Sequence, residues 1–387
     1  MRRYSPTRSI FLSCFIAILS YTGYGQNSGY SFDASLTQDI ASNMSGGIKK
    51  GQVQLGLINL DLSISSEVLD VWENGTFRVQ IQNTYGQLPT ENLIGDIQVF
   101  SNIENGTYTY LYQLWYSHRI GDFTILAGKH DLNEMFFTSE YAGTYINSSF
   151  GIMPVASLNV PVSIFPMTTL GFIGSYDFNK QVTLMAGVYN GLPGNLTQSN
   201  FGMDLNLHQS HGQFYVGEFH FHTRIGQKTG TYKLGSFYHS GTFEDIMEPK
   251  TYYQGAAGLY FIADQIIWGT PGVDGREAGV LFQAGYSPAP GNINDFYMAY
   301  GLNVMNLLQS QDNLGIAMAH ASINDAMINE SPSDFADCET AIELTYRFQL
   351  LQQLFIQPDF QYIINPGMKR NRDNAFAGAF RVQWNIN

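Results

Sequence analysis

Apolar and polar residues alternate one for one along much of this chain. In "QPDFQYIINPG" (357–367), Pro358, Phe360, Tyr362 and Ile364 hold one phase; Gln357, Asp359 and Gln361 hold the other, with Ile363 as an apolar exception. The same period recurs in Phe77–Ile81, Tyr108–Tyr116, Phe123–Ala127, Leu170–Tyr176, Val182–Val188, Tyr215–Phe221, Tyr232–Tyr238, Ala278–Tyr286, Phe296–Leu302, Ile342–Phe348 and Phe376–Ile386. A period of two sends successive side chains to opposite faces of a strand, so each segment has one greasy face and one wet face. Most segments are about 9–11 residues long, the span of a tilted strand across a bilayer. Beyond residue 25 no apolar run approaches the ~18 residues a membrane helix requires.

Composition decides what the greasy faces touch. Charged residues are 13% of the chain, against roughly 25% in soluble domains. Aromatics are 14%, with 27 Phe and 24 Tyr. A soluble β-sandwich or β-helix would need more surface charge, and no repeat of a solenoid period is present. These features together predict an all-β, transmembrane, antiparallel up-and-down β-barrel. Unpaired backbone groups are too costly in lipid for the sheet to stay open, and single-chain bacterial barrels close with an even number of strands. The segments number about sixteen, with 96–103 and 200–207 the doubtful ones.

The amino terminus reads as an export signal over 1–25. Arg2, Arg3 and Arg8 precede the apolar run Ile10–Leu19, and Gly23 and Gly25 are small residues placed for cleavage before Gln26. Lipoprotein processing at Cys14 fits poorly, because Phe11 stands where Leu is wanted and almost no apolar region would remain. Loss of 1–25 makes the chain more acidic than its formal charge of −13 and leaves Cys338 as the single thiol, so neither a disulfide framework nor a cysteine metal knuckle is expected. Residues 26–50 are rich in Ser and Gly and read as a polar leader, with the barrel over 51–387. Short connections (119–122, 177–180, 349–353) suit periplasmic turns. Long ones (134–166, 191–200, 241–254, 323–338) suit external loops. The longest, 134–166, is expected to fold inward and narrow the pore, with a plain surface loop as the alternative.

Beyond these patterns, "ETAIELTYRFQLLQQLFIQPDFQYIINPG" (339–367) resembles the carbohydrate-selective porins of the OprB family. Glu343, Gln357, Pro358, Asp359, Gln361, Tyr362, Asn365, Pro366 and Gly367 carry the match. "LAGKHDLNEMFF" (126–137), "GTYKLGSFYHSGTF" (230–243) and "GLYFIADQIIW" (258–268) are similar to further patches of that family, in the same order. The resemblance implies a sixteen-stranded Gram-negative outer-membrane barrel through which sugars diffuse, with no cofactor. Its ending "QWNIN" departs from the terminal Phe many such barrels carry. Porins are often homotrimers, but no residue here specifies a subunit contact.

If Phe360 and Tyr362 face lipid, Asp359 and Gln361 face the lumen, and Glu343 and Arg347 join them from the preceding strand, because Arg or Lys facing lipid near the midplane costs roughly 2–4 kcal/mol. Charged groups on facing walls suit sugar hydroxyls, although a structural lattice lining the wall would use the same residues. Lys129 and Asp131 stand at the strand end before the long loop, at a constriction or in a rim ion pair. Glu218, His220 and His222 share one strand face. Zinc is conceivable there, with His208 and His211 nearby, but lumen polarity is the simpler reading. Trp115, Tyr108 and Tyr116 are either sugar platforms or, more in keeping with barrels, an interfacial girdle. His320 and Ser322 share a face, which leaves a lipid-acting barrel enzyme as an alternative; sequence adjacency alone does not make a triad. A general, mildly cation-selective porin is the alternative within the same class. "GKH" (128–130) lacks the hydroxyl of a phosphate-binding loop, and no basic patch suggests nucleic acid.

Overall fold

The computed structural model describes residues 29–386 apart from 195, 198–199, 204, 206–210, 246–247, 249, 270–274 and 290. Sixteen strands follow one another: β1 (Tyr30–Ser45), β2 (Gly51–Ser65), β3 (Gly75–Gly86), β4 (Tyr108–Ile120), β5 (Phe123–His130), β6 (Thr169–Asn179), β7 (Val182–Asn190) and β8 (Gln213–Ile225) form the first half. The second half is β9 (Lys228–Glu244), β10 (Tyr252–Gly269), β11 (Glu277–Tyr286), β12 (Asn294–Met305), β13 (Asn313–Ile323), β14 (Cys338–Leu351), β15 (Leu354–Ile364) and β16 (Ala375–Ile386). Each strand pairs antiparallel with its sequence neighbours, and β1 pairs with β16, so the sheet is a closed barrel without an edge. Among the described residues, no helix is long and apolar enough to cross a membrane.

The two ends of the barrel differ. Tight turns at Gly121–Asp122, Lys180–Gln181, Gly226–Gln227 and Gln352–Gln353 lie at the same end as the first residue of β1 and the last of β16. The opposite end carries the long connections 87–107, 131–168, 191–212 and 324–337. Short turns mark the periplasmic end of such barrels. The outer surface is apolar: the register partners Leu344 and Phe360 are 47% and 46% exposed, while the neighbouring partners Glu343 and Gln361 are fully buried inside.

Three expectations need correcting. Residues 29–50 do not form a separate leader, while 26–28 lie outside the described residues: Tyr30–Ser45 is β1, the strand that closes the barrel against β16. Its alternation is obscured because Gln38 occupies the outward phase, where its amide donates to the Leu55 carbonyl at 2.8 Å and its oxygen accepts from Tyr85 Oη at 2.7 Å. Residues 96–103 form no strand. In 200–207, Asn200–Gly202 is a single 3₁₀ turn and positions 204, 206 and 207 lie outside the described residues. The supposed long loop 241–254 shrinks to 245–251, because β9 and β10 run on to 17 and 18 residues.

The core lies within the barrel. Segment 131–168 folds into the lumen, as the loop reading anticipated. Its Phe136, Phe137, Tyr145, Phe150, Met153 and Val155 pack against Ile173, Phe214, Tyr260, Leu281 and Tyr297 of the wall. Small wall residues make room for it. A Cβ on Gly279 would lie 2.1 Å from the Tyr141 ring, and one on Gly285 would lie 2.5 Å from Val155 Cγ2. A second cluster joins Leu93, Ile94, Phe100 and Ile146 to Ala41, Ala341, Ile363, Ala377 and Ala379. Ile363, the apolar residue in the wet phase, points inward because the inserted chain covers it.

Candidate functional site

The lumen wall holds the inserted chain through buried polar groups. Glu343 accepts backbone N–H groups of Ile146 (2.6 Å) and Asn147 (3.0 Å). Glu218 accepts Phe137 N–H at 3.0 Å and the Tyr260 hydroxyl at 2.6 Å. Asp264 accepts Glu140 N–H at 2.9 Å and Ser139 Oγ at 2.6 Å. Lys233 donates to the Thr138 carbonyl at 2.7 Å, and Gln357 to the Thr144 carbonyl at 2.7 Å. Segment 131–168 lacks a sheet to satisfy its backbone. The wall supplies those partners, since buried amides left unpaired are costly.

Segment 87–107 is fastened at the seam where β1 meets β16. Arg381 and Asp39 are register partners and form a bidentate pair, Nε to Oδ1 at 2.7 Å and Nη2 to Oδ2 at 2.8 Å. Arg381 also donates to Asn102 Oδ1 at 2.9 Å, and Ser101 Oγ donates to Asp39 at 2.8 Å. Higher up, Glu339 accepts the N–H groups of Ile97, Gln98 and Gly367. A second luminal network joins Arg78 to Asp61 and, at 2.7 Å, to Glu134 of the inserted segment; Gln113 donates to Glu134 at 2.6 Å.

The residues singled out from sequence fall into distinct groups. Glu343, Asp359, Gln361 and Glu218 lie on inward phases but are at most 1% exposed, and Glu343, Gln361 and Glu218 brace the inserted chain instead of meeting a passing solute. Gln361 donates to Asp359 at 3.1 Å and to the Phe100 carbonyl at 3.0 Å. Lys129 lies at the end of β5. It pairs in register with Leu114 and Leu170, is buried, and donates to the Thr168 carbonyl at 2.5 Å. Asp131 lies past the end of β5, where it accepts Asn133 N–H at 2.8 Å and the Tyr112 hydroxyl. His220 is bonded to Glu218 at 2.5 Å, and the exposed His222 to Thr231 Oγ1 at 3.0 Å. Among the described residues no three His, Cys, Asp or Glu side chains gather as a metal site; His208 lies outside them. His320 meets Thr340 Oγ1 at 2.9 Å, and Ser322 pairs in register with Cys338. Tyr116 contacts Trp72 and Phe77, whereas Trp115 is inside, beside His130. Arg347 also faces open space, its guanidinium 3.8 Å from the Phe355 ring centroid. Sequence reading missed Asp39, Asp61, Arg78 and Arg381.

Two cavities stand out among the described residues. One of about 570 Å³ lies between segments 87–107 and 131–168 and the β1–β16 seam, lined by Thr37, Asn102, Asp131, Asn133, Arg381 and Gln383 together with Ile152 and Phe165. The other, of about 700 Å³, is bordered by Glu140, Tyr141, Asp264, Glu277, Asn313 and Arg347.

Segment 87–107 holds two buried acids, Asp96 and Glu104. Burial pushes the Glu104 carboxyl up to about 8 and that of Asp96 up to about 6. A raised acid means that the folded state prefers the proton. Its support is therefore full below the ordinary carboxylate range and is lost as pH climbs through those two values. Glu104 accepts Thr90 N–H at 3.0 Å. Amide exchange at Thr90, corrected for intrinsic rate, should accelerate as pH rises from the ordinary carboxylate range to about 8 and level off above it, and Glu104→Gln should flatten that rise. A pH-independent corrected rate in the unaltered protein would contradict this.

Comparison with known proteins fits the geometry. The sequence model of the carbohydrate-selective porin, OprB family, matches residues 49–386. Porin B of Pseudomonas aeruginosa is 22% identical over 92% of this chain and 87% of its own length. The putative porin QuiX of Acinetobacter baylyi is 23% identical over 93% of this chain and 90% of its own. The high-pH structure of Pseudomonas putida OprB superposes with a TM-score of 0.83 at 18% identity, covering 98% of this chain and 96% of that one. These relatives are channels and not enzymes. A closed sixteen-stranded barrel with an apolar exterior, a polar lumen and this family match belongs in the Gram-negative outer membrane, and the chain is a member of the carbohydrate-selective porins of the OprB family.

Proposed function

We propose that small sugars diffuse through the lumen left open between the inserted segments and the wall where β1 meets β16. The observation that carries this is the chemistry of the cavity of about 570 Å³. A sugar presents hydroxyls that both donate and accept, with apolar C–H faces between them. The Asn102, Asn133, Thr37 and Gln383 side chains offer both roles, Arg381 donates, Asp131 accepts, and Ile152 and Phe165 supply apolar surface. Arg347 has no carboxylate partner among the described residues, so its planar donors face the other cavity. Wide contact with no deep anchor suits passage, because a site that binds too firmly does not release.

Liposome swelling tests this. Glucose should enter faster than a zwitterionic amino acid of similar size, and Arg347→Leu should narrow the difference. Equal rates in the unaltered protein would reject sugar selectivity and leave a general, mildly cation-selective pore. Export would proceed by cleavage before Gln26. The mass of the mature protein checks that step, and a chain retaining 1–25 would refute it.

A further inference from the structure

A third cavity, of about 250 Å³, lies between β4, β5, β6 and the start of the inserted segment, apart from the two described above. Trp115, Ser117, Thr124, Glu134 and Ser175 line it, with His130 beside them. At ~30 Å³ per water it holds roughly eight waters, the scale of one sugar ring and below that of drug-sized pockets.

Its chemistry is specific. Trp115 is fixed in place: Nε1 donates to Gln113 Oε1 at 3.1 Å, the Arg78 guanidinium lies 5.6 Å from the ring centroid, and the His130 ring meets it edge-on at 6.1 Å. Thr124 and Ser175 are register partners across β5 and β6, and Ser117 comes from β4. None of these three hydroxyls is committed to a protein partner among the described residues. Glu134 is already oriented by Arg78 and Gln113. A held indole, three uncommitted hydroxyls and an oriented carboxylate form one small enclosure. The residues from β4, β5 and β6 come from the halves of those strands nearer the short turns.

We propose that this enclosure is a second sugar station, on the periplasmic side of the inserted segments, and that it takes a single pyranose ring. The indole offers a flat apolar surface to the C–H face of the ring. Ser117, Thr124 and Ser175 donate to and accept from its hydroxyls, and Glu134 accepts. A sugar leaving the narrow region would rest here before release. The proposal rests on the sugar-diffusion reading and adds a place and a size limit to it.

The test is glucose-induced block of single-channel current in planar bilayers, with glucose added on the side of the short turns. Trp115→Leu should raise the half-blocking glucose concentration on the order of tenfold, about 1.4 kcal/mol. Thr124→Val and Ser175→Ala, which change little volume, should each raise it a few-fold, so the result does not depend on one large substitution. Block by the trisaccharide raffinose from that side should be insensitive to all three changes, because its bulk does not enter. The proposal is overturned if all three variants are blocked by glucose like the unaltered protein. Swelling of liposomes carrying the unaltered protein reads the parent idea separately. Preferential glucose entry combined with unchanged block in the variants removes this station and leaves sugar diffusion standing.

Discussion

Replacing Glu218, Asp264 and Glu343 together by alanine is expected to release segment 131–168 from the wall and enlarge the pore. Each carboxylate accepts at least one backbone N–H of that segment, between Phe137 and Asn147. Such hydrogen bonds contribute on the order of 1 kcal/mol each, and each stranded amide adds a desolvation cost of about 1–3 kcal/mol. Alanine offers no acceptor, so the segment must find water, which enters only if it lifts away. Single-channel conductance should rise above that of the unaltered protein, and the glucose preference in liposome swelling should fall. Gln at the same positions keeps an acceptor oxygen and should act more mildly. The barrel itself should persist, because its strand ladder does not involve these side chains; heat-modifiable gel mobility would report that. An unaltered conductance would show that apolar packing alone holds the segment.

Asp39→Ala is expected to destabilise the barrel by about 3–5 kcal/mol, the usual cost of stranding one partner of a buried ion pair. Asp39 is fully buried and takes both contacts of the Arg381 fork. Without it the guanidinium keeps, among the described residues, hydrogen bonds to Ser101 and Asn102 alone. The loss falls on the β1–β16 seam, where the two ends of the chain close the sheet. The double variant Asp39→Ala, Arg381→Leu should recover part of the loss, because the stranded guanidinium is then gone. Urea unfolding in lipid vesicles measures both. A double variant no better than the single one would show that the pair is needed for closure itself.

Much of the barrel was legible in the alternation. Where a strand has lipid outside and polar groups inside, as in β14 and β15, the period names both faces. The reading failed where the outward phase is polar. Gln38 satisfies itself within the wall, so β1 looked like a leader and its Asp39 went unseen. The candidate site was harder to read for another reason. Alternation identified Glu343, Asp359, Gln361 and Glu218 as inward-facing, but period alone does not say whether water or another stretch of chain occupies the space in front of them. Ile363 held a clue: an isoleucine in the wet phase implies something apolar opposite, here Phe100 and Ile146.

The glycine sockets tie distant parts of the chain into one inheritable unit. Tyr141 fits only because position 279 has no side chain, and Val155 only because position 285 has none. A chimera that carried 131–168 into a sister channel with alanines at those two places would meet a clash at each. Swapping selectivity between members of the family therefore means grafting the plug together with its receptacle on the far wall.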